Sequence, residues 1–173
     1  MPISGFRGFL RAVELSGFST WVRESKSIWA YPSVLFLHTL GLTIVVGMSL
    51  VISLRILGIG SGMPIRPMDK FYPIMWTGFW INAASGTLLI AIDATYRFTL
   101  PIFYIKMSLI ALAVICVQLT RNRVFRHSNP DTTPVTKGAK ILAASSIVLW
   151  LSAIVAGRLM AYLSTAHIVG STT

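Results

Sequence analysis

Apolar residues fill four long stretches of this chain, and charged residues gather mainly in the segments around them. The first stretch, SVLFLHTLGLTIVVGMSLVISLRIL at 33–57, runs for about 25 residues. At 1.5 Å per residue it crosses a hydrocarbon core of roughly 30 Å. The same pattern predicts helices over about 32–57, 72–95, 100–120 and 139–163. Short connections between them predict an all-α, antiparallel four-helix bundle in a membrane. Ahead of it, Phe6, Phe9, Leu10, Val13, Phe18, Trp21 and Val22 form a broken helical stripe among charges. Residues 1–31 therefore read as an amphipathic arm in the interface plane, not a signal peptide. Residues 165–173 read as a short tail.

Composition supports the pattern. Over 173 residues, 54% are hydrophobic and 12% charged, with a mean hydropathy of +0.73, which excludes a soluble domain. A formal charge of +10 raises nucleic acid as a partner. The chain has no basic helix or aromatic module that reads bases, so its cations are topology signals and headgroup contacts. Cys116 stands alone inside an apolar run, which leaves neither a disulfide framework nor a cysteine metal cluster. The glycines of GIGSGMPIRPMDK follow no strand and precede no Lys-Ser/Thr pair, so this segment is a linker rather than a phosphate loop. Arg55, Arg66, Lys70, Arg121, Arg123, Arg126, Lys137 and Lys140 outnumber Arg7, Arg11, Arg23, Lys26 and Arg97 on the opposite side. The positive-inside rule then puts both termini on the periplasmic side of a bacterial inner membrane.

Ionisable residues inside the apolar stretches carry the candidate chemistry. His38 lies in the first helix, and such a residue faces the protein interior and marks a site. Gly41, one turn on, opens a gap for another helix or a flat ligand. In the second helix Asn82, Ser85, Gly86 and Asp93 share a face, the first three also suiting plain helix–helix packing. Lys106 enters the third helix, where it either joins a site or snorkels to the headgroups. Arg158 follows Trp150 and Ile154 at four-residue spacing in the fourth.

In an alternating bundle His38, Asp93, Lys106 and Arg158 share one end, roughly 3–9 Å below the boundary. One imidazole can ligate haem iron, while Lys106 and Arg158 can neutralise propionates. Trp150, Trp80, Phe79 and Tyr162 offer flat walls. Zinc or copper would want further histidine or cysteine ligands, and no serine pairs with His38 at a nucleophile's spacing. A sixth iron ligand is open between His167, Lys106 and a helix methionine, with five-coordinate iron as the remaining case.

The runs SIWAYPSVLFLHTLGLTIVVGMSLVISLRILG, WTGFWINAASGTLLI, FYIKMSLIALAV and WLSAIVAGRLMAYL resemble an uncharacterised family of bacterial four-helix membrane proteins. Where that family often carries an acidic residue before its Leu-Arg pair, this chain has Ser53, so the resemblance does not extend to an ion pair with Arg55. A helix histidine and a Phe-x-x-Lys opening another helix, here His38 and Phe103 to Lys106, are similar to HemJ-type protoporphyrinogen oxidases and copper-resistance D membrane proteins. The HemJ resemblance implies haem b and porphyrin-type redox chemistry at His38 and Lys106. Three functions follow: a haem b redox protein working with a quinone or partner subunit, a cofactor-free accessory subunit locked by ion pairs, and a small-solute or ion pathway.

Overall fold

A bilayer offers no water to the backbone, so each spanning segment must satisfy its own amides. The chain does this with four long helices in a computed structural model. The structure describes residues 5, 8, 11–12, 30–60, 62–91, 94–125 and 134–170, with the backbone alone at 30 and 164–170. Helices α1 (Ala30–Leu57), α2 (Phe71–Ala91), α3 (Pro101–Val124) and α4 (Lys137–Gly170) are joined by short segments. These segments include a 3-10 turn, Arg66–Lys70, and a helical turn, Ala94–Arg97. Among the described residues four helices are long and apolar enough to cross a membrane, and the chain is a multi-pass membrane protein. The amphipathic arm lies almost wholly outside the described residues.

Local chemistry sets the ends. Gly58 and Gly60 take positive φ, at 105° and 74°. Gly58 N–H donates to the Arg55 carbonyl and Ile59 N–H to the Leu54 carbonyl, the paired bonds of a Schellman cap. Pro101 opens α3, where a missing amide proton costs nothing. The α4 backbone continues past the expected end near 163, since no glycine or proline occurs between Leu163 and Gly170.

The packing is antiparallel throughout. α1 lies along α2, α3 along α4, and α1 also meets α4. His38 meets Asn82 and Ser85 while Ile44 meets Gly78, so sequence numbers run in opposite senses. Lys106 lies over Gly157 and Arg123 over Gly138, which gives α3 and α4 the same relation. The buried seam of α1 runs Gly41, Val45, Ser49, Ile52, Ser53 and Ile56. That of α4 runs through Ala139, Ala143, Ser146, Trp150, Ala153 and Ala156. Small residues inside and large apolar ones outside, such as Phe36, Trp80, Ile141 and Val155, are what a lipid solvent selects.

The tightest seam joins α1 to α2. A Cβ added at Gly41 would stand 2.7 Å from the Asn82 backbone nitrogen and 2.8 Å from the Gly78 oxygen. At the far end Arg121 donates to Asp69 at 3.0 Å and lies over the Tyr72 ring, 4.8 Å from its centroid. Gly41→Ala is expected to cost about 1–3 kcal/mol through overpacking, read as thermal melting in detergent. Gly47 meets nothing within 4 Å, so Gly47→Ala should be neutral or stabilising by up to about 1 kcal/mol. Equal melting of the two variants would contradict the backbone contact.

Candidate functional site at the His38 end

His38 stands about two turns into α1 and turns its partly buried ring toward α2. Its Nδ1 lies 3.1 Å from the Asn82 main-chain oxygen and 3.2 Å from Ser85 Oγ. A carbonyl oxygen only accepts, so Nδ1 carries the proton. The Ser85 hydroxyl donates to the Ile81 carbonyl at 2.6 Å and accepts from the imidazole. A neutral His38 therefore keeps its lone pair on Nε2. Gly86 makes room for the ring, since a Cβ there would sit 3.0 Å from His38 Cε1. The sequence pattern put Asn82, Ser85 and Gly86 on one face, and that face is the seat of the imidazole.

The serine contact has the wrong polarity for a nucleophile. Ser85 gives its proton to a main-chain carbonyl, and the nitrogen facing it already holds one. His38 cannot act as its base from Nδ1.

Lys106 reaches the same end from α3, its Nζ lying where a Gly157 Cβ would stand 3.3 Å away. Its ammonium is within electrostatic range of His38 and of Arg97. Arg97 is the residue that sequence reasoning left among the loop charges. Its Nε is buried and makes no hydrogen bond among the described residues, nor does Asn82 Oδ1. The available signal was position: Arg97 lies in the connection that leads straight to Lys106, on the shared end of the bundle.

Other expected members fall elsewhere. Arg158 is exposed on α4 and no contact joins it to the imidazole, because its neighbours Ala156 and Gly157 occupy the inward face. At Gly41 the expected gap is taken by another helix, since the backbone of α2 fills it and leaves no room for a flat ligand. Trp150 and Phe79 face inward, whereas Trp80 and Tyr162 are 67% and 69% exposed and point away. Asp93 and the side chain of His167 lie outside the described residues.

A cavity of about 10 Å³ lies between all four helices, lined by Val45, Met75, Trp76, Phe79, Val114, Val117 and Trp150. It does not include His38. Among the described residues no three His, Cys, Asp or Glu side chains come together as a metal cage. The described ion pair, Asp69 with Arg121, belongs to the opposite end.

The tautomer is open to direct measurement. Histidine ¹⁵N spectra of bilayer-embedded protein, assigned with His38→Gln, should give His38 as the Nδ1–H form at neutral pH. An Nε2–H form would contradict the hydrogen bond to Asn82. No family model, curated protein or solved structure matches the chain, so its function is argued from this geometry.

Proposed function

We propose that the protein binds haem b at the His38 end and works in electron transfer or porphyrin-type redox chemistry within the membrane. The observation that supports this reading is the orientation of His38. Its Nδ1–H is tied to the Asn82 carbonyl and the Ser85 hydroxyl, which leaves Nε2 as the donor atom. Metal-ligating imidazoles are held in this way, with the other ring nitrogen bonded to a carbonyl or carboxylate.

The donor set fits a macrocycle better than a bare ion. A porphyrin supplies its own equatorial nitrogens, so one imidazole suffices for axial ligation. Zinc or copper would need ligands that the described residues do not gather. Lys106 and Arg97 provide cationic charge suited to propionates, and no carboxylate among the described residues pairs with either. Haem, when bound, supplies one-electron chemistry. The chain's own residues orient the ligating nitrogen, seat the ring on Gly86 and offset the negative charge of the macrocycle. The electron partner in this reading is a quinone or a membrane subunit.

The test is a dithionite-reduced minus oxidised spectrum of purified protein, with pyridine haemochrome quantitation. A stoichiometric b-type signal is expected, falling at least about tenfold in His38→Ala, since loss of a partner behind the ligand already costs about 10–100-fold in affinity. It should persist in His127→Ala, a histidine that lies in sequence between α3 and α4. A colourless protein made with ample haem supply would instead favour the cofactor-free accessory subunit, and full haem content in His38→Ala would remove the axial-ligand assignment.

A further inference from the structure

A second polar cluster lies nearer the other end of the bundle, where all four helices contribute hydroxyls to one cavity. It is lined by Ser49, Ser53, Tyr72, Thr120 and Ser146, together with Ile52 and Val117. All five hydroxyl-bearing residues are buried, between 1% and 3% exposed. Ser146 Oγ lies 3.1 Å from Ser49 Oγ and 3.5 Å from Ser53 Oγ, so the serines partly satisfy each other. Tyr72 Oη and Thr120 Oγ1 do not; each is buried without a hydrogen-bond partner among the described residues.

In lipid such groups are costly, and threonines elsewhere in the bundle avoid the cost. Thr39, Thr43, Thr77 and Thr87 each donate to the carbonyl four residues back. Thr120 does not make that bond and lines the cavity instead. The Tyr72 ring is held by Arg121 over its face and by the Phe125 edge at 5.5 Å. A buried hydroxyl without a partner costs roughly 1–3 kcal/mol in proteins.

The cavity measures about 10 Å³, at the threshold of roughly 10–15 Å³ at which one water fits. A buried water also needs two to four polar partners. We infer that this cavity is a specific site for one water molecule, which bridges Tyr72 Oη and Thr120 Oγ1 within the serine cluster. The equally small cavity beside it is lined by hydrocarbon and lacks the partners that would hold a water. A single water thus ties α2 to α3 at a point where neither direct hydrogen bonds nor bulk solvent serve these hydroxyls.

The test is water-edited solid-state NMR of the full chain in lipid bilayers, with labelled tyrosine and threonine. Signals are assigned through Tyr72→Phe and Thr120→Ser. Polarisation is expected to pass from water protons to Tyr72 Cζ and Thr120 Cβ, and transfer from lipid chains alone would overturn the site. Melting supplies a second readout whose sign separates the cases. With water bound, Thr120→Val should lower Tm by about 2–4 °C, the shift for one lost hydrogen bond in a chain of this size. Thr120→Ser should restore most of that loss. An unchanged or raised Tm in Thr120→Val would mean that an unpaired hydroxyl had been removed from a dry cavity, and would overturn the proposal. A wild-type Tm that rises with sodium but not with choline would assign the site to a cation, and would overturn it too.

Discussion

Where Gly41 passes Gly78, two helix backbones touch with no side chain between them, and the geometry of the His38 end follows from that approach. A Cβ on Gly41 would stand within 3 Å of the α2 backbone, and one on Gly78 would lie 3.1 Å from the Gly41 oxygen and press on the Ile44 side chain. Without hydrophobic drive between helices in lipid, association relies on such close van der Waals contact. The contact also fixes the register of α1 against α2. One turn from Gly41, His38 then falls against Asn82 and Ser85, with Gly86 beneath its ring. A register one residue off would rotate the imidazole by about 100° around α1, away from its acceptors.

The same rule, that no polar group goes unserved in lipid, sorts the remaining hydroxyls and cations. Lipid-facing threonines bond back to their own helix, which makes them harmless. Asp69 and Arg121 pair near the boundary, where both stay partly solvated and the pair contributes little stability by itself. Its larger effect is to hold a cation over Tyr72 and so fix the direction of the phenol. Among the described residues, the groups left over include Asn82 Oδ1 and Arg97 Nε at the His38 end and Tyr72 Oη with Thr120 Oγ1 at the hydroxyl cluster, with Gln118 Oε1 and Trp150 Nε1 besides.

Much of the architecture was legible from the sequence because lipid imposes a coarse code of length and hydropathy. The four spans and the common end of His38 and Lys106 follow from that code, since alternation alone puts the start of one helix beside the end of the next. Rotation about each helix axis is a finer matter. Arg158 and Lys106 have similar depths, yet one faces out and the other lies across Gly157, because helix rotation depends on which small residues form the seam. Arg97 was hidden for a different reason: a cation in a connecting turn resembles a solvated one until the fold buries part of it. The hydroxyl cluster leaves no local motif. Ser49, Ser53, Tyr72, Thr120 and Ser146 come from four helices and meet only through tertiary register.

The layer between the two polar clusters bears on what the bundle can transmit. Val45, Met75, Trp76, Phe79, Val114, Val117 and Trp150 surround the central cavity, and Val117 also borders the hydroxyl site. An ion or polar solute crossing from one cluster to the other would lose its hydration there with little to replace it. Apolar cavities of this kind stay dry. Among the described residues, then, the polar features form two separate clusters rather than a path, which weighs against a solute conduit. An electron is not subject to that penalty in the same way, because it needs no chain of water or polar ligands to enter a redox centre near one face. The apolar layer is thus compatible with chemistry confined to the His38 end, with the hydroxyl cluster serving the packing of the other half.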